Sequence, residues 1–124
     1  MSYDNNNIFA KILRGEIPCD KVFENEHTLA FKDINPKAKY HILVIPKGKY
    51  IDVDDFSKNA SDIEIASLMR AVSEVCKIYN IAPLDGGDGF RLIANTGKNG
   101  CQEVPHFHFH LLGGQLMPFN KPVD

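Results

Sequence analysis

Three of the five histidines in this 124-residue chain stand at alternate positions, His106, His108 and His110, in the stretch VPHFHFHLLGG. Residues two apart in an extended strand point to the same side, so this spacing puts three imidazoles on one face. Phe107, Phe109 and Leu111 then share the other face, where their burial would fix which way the histidines point. Neutral imidazole is a nucleophile, and its unperturbed pKa of about 6.5 makes it a proton carrier near neutral pH. The row could bind a metal, act as acid, base or nucleophile, or form a polar strand face open to solvent.

A metal uses only part of the row. His-x-His sets two imidazoles ~6.7 Å apart at Cα, close enough to share one ion, but His106 and His110 would stand ~13 Å apart. Such a site needs two of the three histidines plus ligands from elsewhere. Acid–base or nucleophilic chemistry uses all three, because crowded histidines disfavour one another's protonated form. Phosphorus accepts nitrogen readily, giving a phosphohistidine that water can hydrolyse, while flanking imidazoles bind phosphoryl oxygens or protonate the leaving group. This chemistry favours phosphoryl or nucleotidyl transfer over a metal hydrolase. The preceding loop, NTGKNGCQEV, offers Asn95, Gly97, Gly100 and Gln102, amides and glycines that let backbone approach a ligand. It is not a P-loop, since no G-x-x-x-x-G-K-[ST] occurs.

The elements that must carry these residues are legible from periodicity. Ile8 to Arg14 reads as a short helix, ended by Gly15 and kept from resuming by Pro18. KVFEN and HTLAFKDI read as strands around the turn Glu24-Asn25-Glu26, and YHILVIP as a third strand closed by Pro46. One long helix is expected from Ser61 to about Tyr79. Ile65, Leu68, Val72, Val75 and Tyr79 form its apolar stripe, with Ser61 and Glu64 as a capping box. FRLIAN and HFHFHLL supply the fourth and fifth strands. Several strands around one long helix, without βαβ alternation, indicate an α+β fold with a largely antiparallel sheet.

Composition narrows the function classes. The length suits one domain, 1–124, with 1–7 read as a disordered N-terminal tail and 115–124 as a C-terminal tail. A formal net charge of −2 gives no electrostatic reason to expect nucleic acid or an anionic membrane as partner. The N-terminus lacks the basic and apolar regions of a signal peptide, and no apolar run approaches the ~18 residues of a membrane span. Cys19, Cys76 and Cys101 are widely spaced and odd in number, as expected of reduced thiols in a cytoplasmic protein.

His-Phe-His-Phe-His-Leu-Leu resembles the alternating signature of the histidine triad superfamily. IFAKILRGEIP, AFKDINPKAKYHILVIPK, NTGKNGCQEVPHFHFHLLGG and the following Met117 are similar to its Hint branch, the nucleoside phosphoramidate hydrolases, from Ile8 to Met117. The resemblance implies a five-stranded antiparallel sheet with one long and one short helix, a homodimer, and a purine nucleoside monophosphate site that needs no cofactor. It implies that His108 is the nucleophile toward the α-phosphorus, and that His110 and His41 bind phosphate oxygens or help the leaving group. His106 would orient His108 through its backbone carbonyl. Asn95 and Gln102 would lie by the phosphate, Asp33 by the ribose hydroxyls, and Ile8, Phe9, Ile12, Ile17, Phe31, Ile34 and Leu43 around the base.

The chain also departs from the pattern. Glu103 stands where eukaryotic members carry a serine near the phosphate, and Cys101 replaces a glycine, which would narrow the loop. Ala10 replaces the cysteine of zinc-carrying relatives, so no structural zinc is expected. The reading is a P–N hydrolase of purine nucleoside phosphoramidates or aminoacyl-adenylates. Its alternatives are a nucleotide-binding interaction module with incidental catalysis, a dinucleoside polyphosphate hydrolase and a metal-dependent hydrolase.

Overall fold

The computed structural model describes residues 2–117. Its elements are α1 (Ile8–Leu13), β1 (Lys21–Glu24), β2 (Thr28–Lys32), β3 (Tyr40–Pro46), α2 (Val53–Asn59), α3 (Asp62–Ile78), a 3-10 turn (Pro83–Asp85), β4 (Phe90–Ile93) and β5 (Phe109–Gly113). The strands form one sheet in the order β1-β2-β3-β5-β4, with every neighbouring pair antiparallel. This is the α+β architecture expected from the sequence.

Local signals account for most of these boundaries. Ser61 caps α3 by accepting from the Glu64 N–H, and the Glu64 carboxylate accepts in return from the Ser61 N–H. Leu68, Val72 and Val75 of the apolar stripe are buried, while Ile65 and Tyr79 pack at its margins. Gly15 adopts φ 78°, the left-handed turn that ends α1. The additional helix, α2, is too short for periodicity to reveal. Asp52 caps it, and Phe56 is its one buried residue.

Two boundaries differ from expectation. The segment before α1 is an ordered turn: Asn7 is buried, its side chain accepts from Ala10 N–H and donates to the Asp4 carbonyl, and Arg14 donates to the Asn5 carbonyl. Asparagine at the N-cap, where its carbonyl oxygen takes an otherwise orphaned N–H, explains why this polar run folds back. The fifth strand begins at Phe109, because ladder pairing with β3 starts at Val44↔Phe109. His106 to His108 lie outside the ladder, with a bend at Val104–His106. Of the C-terminal tail, residues 118–124 lie outside the described residues.

Alternation divides the sheet into two apolar faces. Ala30, Ile42, Val44, Phe107 and Leu111 pack under α2 and α3, with Phe109 at their edge. Leu29, Phe31, Leu43 and Ile45 pack with Phe9 of α1 on the other side. Phe107 is fully buried between Phe56 and Phe109, with ring centroids 5.0 and 5.2 Å away. Removing a buried aromatic ring leaves a cavity that the core closes only in part. Phe107→Ala is expected to lower stability by about 3–5 kcal/mol in urea titration; a loss below about 1 kcal/mol would show that the site does not rest on this core.

Candidate active site

β3 and β5 adjoin at the middle of the sheet, so His41 and His110 come from neighbouring strands on the α1 side. They line a cleft of about 420 Å³ together with His108, a volume within the range of small-molecule sites. Ile8, Phe9 and Ile12 of α1 form one apolar wall, and Ile17, Phe31 and Leu43 continue it. Ile34 stands at the rim, 86% exposed. Asp33, Asn95, Gln102 and Glu103 complete the expected set, so His106 alone among the expected residues does not line the cleft.

His108 is buried, and its Nδ1 lies 2.7 Å from the His106 carbonyl. A carbonyl only accepts, so Nδ1 carries the proton, and a neutral ring keeps its lone pair on Nε2 for the cleft. The edge-on Phe9 ring, 5.0 Å away, packs against the imidazole. Burial lowers the His108 pKa, against the smaller opposing pull of the His106 carbonyl and Asp33.

His41 and His110 share a second proton line. The Lys37 N–H donates to Nδ1 of His41 at 3.0 Å, which leaves the His41 proton on Nε2, 2.9 Å from Nδ1 of His110. A neutral His110 then carries its own proton on Nε2. One oxygen of Asp33 accepts from the Asn35 N–H and closes the loop turn, while the other lies 3.5 Å from Nε2 of His41. Burial lowers the His41 pKa, partly offset by Asp33 and reinforced by Lys37 and His108. Asp33, His41 and His110 also present ligand atoms within 4.8 Å of one another. A cation there would have to displace the proton between the two imidazoles.

His106 is wholly buried and held at both nitrogens, by the Pro46 carbonyl at Nε2 (2.8 Å) and the Tyr3 hydroxyl at Nδ1 (2.6 Å). Burial depresses its pKa to about 4. The glycine-bearing loop is braced from within. Gln102 donates to the carbonyls of Ile51 and Val104 and accepts from the Gly97 N–H, so its amide is engaged by the protein itself. Gly100 is required there, since a Cβ would fall 2.5 Å from backbone atoms of Thr96. Cys101 takes φ 56°, a glycine-like conformation, yet its side chain is exposed and outside the cleft lining.

Sequence reading missed Pro18, Cys19, Lys32, Asn35, Lys37 and Val104, which also line the cleft, and the contacts of Tyr3 and Pro46. Lys37 and Pro46 act on the histidines through backbone groups, which no side-chain pattern encodes. Tyr3 carried one signal, a lone aromatic in a polar run.

Comparison with known proteins places this arrangement in context. The HIT domain family matches residues 14–117. An uncharacterised 13.2 kDa HIT-like protein of Azospirillum brasilense is 56% identical over 116 residues, covering 94% of this chain and 92% of that protein. The purine nucleoside phosphoramidase of Escherichia coli K12 is 41% identical over 108 residues, 87% of each chain. The solved structure of a histidine triad protein from Clostridium difficile matches with a TM-score of 0.82 at 38% identity, covering 98% of this chain and all (100%) of that one. Among the described residues no helix is long and apolar enough to cross a membrane.

Three histidines with depressed pKa values make stability depend on pH. The unfolded chain takes up protons below about 6.5 that the folded chain does not, so stability should fall as pH drops from 6.5 toward about 4. The slope is at most about 1.4 kcal/mol per pH unit for each histidine kept neutral. Urea titrations across this window measure it; a flat profile would show that the histidines titrate as they do in the unfolded chain.

Proposed function

This chain belongs to the HIT family, and from that premise we propose that it hydrolyses the P–N bond of purine nucleoside phosphoramidates or aminoacyl-adenylates. The observation that carries the reading is the His108 ring, whose Nδ1–H is committed to the His106 carbonyl while Nε2 remains a lone pair. That lone pair attacks the α-phosphorus, an N–P bond forms, and the P–N bond to the amine breaks. The amine leaves with a proton from His110, which the Lys37–His41–His110 line keeps on Nε2. Nucleotidylated His108 is a cation, and the His106 carbonyl on its Nδ1–H stabilises that charge. Water then attacks phosphorus, returns a proton to His110, releases the nucleoside monophosphate and restores His108.

In this reading Ile8, Phe9, Ile12, Ile17, Phe31, Ile34 and Leu43 hold the base, and Asp33 accepts from the ribose hydroxyls. Asn95 and the loop braced by Gln102 stand beside the phosphate. Glu103, exposed at the rim with no ion pair among the described residues, repels anionic leaving groups. The chain acts as a single domain in a cytoplasmic homodimer. The dimer reading is supported by β4, whose outer edge has no strand partner among the described residues. The Asp33, His41 and His110 cluster favours a second reading, in which a divalent cation takes part.

Steady-state kinetics with a fluorogenic adenosine phosphoramidate, and dinucleoside polyphosphates as the contrast class, test both. His108→Ala should lower kcat by on the order of 10^4-fold or more while retaining AMP binding, and chelator dialysis should leave turnover unchanged. Full turnover by His108→Ala would defeat the covalent route. Loss of turnover on chelation, restored by metal, would favour the second reading.

A further inference from the structure

We propose that Tyr3 is a positioning residue of this site: its hydroxyl donates to Nδ1 of His106 and holds the seat of that ring, whose tautomer the Pro46 carbonyl sets, and so holds the carbonyl that orients His108. The catalytic consequence rests on the hydrolase reading above; the orientation itself does not.

The backbone that presents the His106 carbonyl is not held by the sheet. Ladder pairing of β5 with β3 stops at Val44↔Phe109, leaving His106, Phe107 and His108 outside it. The Phe107 N–H donates to the Tyr50 carbonyl at 2.8 Å. The Phe107 side chain is sunk in the core, the His106 N–H donates to the Val104 carbonyl at 2.9 Å, and the His106 ring, wholly buried and engaged at both nitrogens, is a further anchor. Since the Pro46 carbonyl can only accept, Nε2 carries the ring proton and Nδ1 is an acceptor. Tyr3 supplies the matching donor, at 2.6 Å with its ring edge-on to the imidazole, centroids 5.6 Å apart.

Without that hydroxyl, Nδ1 becomes a buried acceptor that has lost its donor. Imidazolium is no remedy, because burial disfavours the charged ring, whose pKa is depressed to about 4. The ring must turn or shift to relieve the loss, and its carbonyl moves with it. His108 could then place its proton on either nitrogen, and the Nε2–H tautomer has no lone pair for phosphorus.

The segment that delivers Tyr3 is built to hold it. Asn7 caps α1 through Ala10 N–H at 2.9 Å and donates to the Asp4 carbonyl at 2.7 Å, and Arg14 donates to the Asn5 carbonyl at 2.7 Å. Tyr3 does not line the cleft, so its influence on substrate passes through His106 and His108.

The test is Tyr3→Phe, which keeps the ring and removes the hydroxyl. Expected are a fall in kcat on the order of tenfold with KM changed by less than about twofold, and a mixed His108 tautomer in 15N–1H imidazole spectra of the substrate-free protein. Ser61→Ala, which removes the α3 cap and lowers stability away from the site, is the control for stability alone. It should keep both kcat and the single Nδ1–H tautomer. Wild-type kcat with an unchanged His108 spectrum in Tyr3→Phe would overturn the proposal, as would an equal loss of kcat in Ser61→Ala. If the wild-type protein cleaves no phosphoramidate, the hydrolase reading falls, and the spectra still decide the role of Tyr3.

Discussion

The hydrogen bond from Nδ1 of His108 to the His106 carbonyl, 2.7 Å long, joins a backbone that must be placed to a side chain that must be in one protonation state. A neutral imidazole has one proton for two nitrogens, and a carbonyl oxygen can bond only the nitrogen that holds it. Burial keeps the ring neutral by disfavouring its charged form. Location, tautomer and charge of the ring therefore follow from one contact and one environment. Any shift of the His106 backbone alters all three together.

That backbone is located by the apolar side chains that alternate with the histidines. Phe107 and Leu111 are sunk in the core under α2 and α3, and Phe109 packs at its edge, which turns His108 and His110 toward α1. A slip of one residue would bury histidines in the apolar core and expose phenylalanines, so the register is strongly specified. The apolar face supplies the energy, while the polar face carries little stabilisation of its own and loses some below neutral pH. The site is mounted on the core rather than part of it.

Much of this was legible in the chain because it rests on periodicity. Period two in HFHFHLL assigned the two faces, the three- and four-residue steps of α3 gave its stripe, and Ser61 with Glu64 marked its start. What escaped reading was whatever depends on tertiary placement of backbone groups. The Lys37 N–H, the Pro46 carbonyl and the Tyr50 carbonyl decide which histidine nitrogen is a donor, yet any residue type could supply them. α2 was missed because seven residues with one buried side chain show no period. The N-terminal turn was missed because a polar run with a single aromatic reads as tail until the pocket that receives Tyr3 is known. The resemblance to the histidine triad superfamily pointed to the cleft residues, but not to the groups that set their protons.

Those groups share a property that bears on how the site keeps its chemistry. The His41–His110 line begins at the Lys37 amide, which can only donate, and His106 is held by the Pro46 carbonyl, which can only accept. Neither titrates at any pH where the protein is folded. His108 is likewise set by a carbonyl. The proton positions of these buried imidazoles are thus set first by fixed dipoles at the margins, with the Asp33 carboxylate, 3.5 Å from Nε2 of His41, as an added charge. The Tyr3 hydroxyl is the exception, since it can both donate and accept. A carboxylate at the same position would have drawn a second proton onto His106 and placed charge beside the nucleophile. A hydroxyl completes the neutral ring without adding charge, which is what a site built on lone pairs of buried histidines requires.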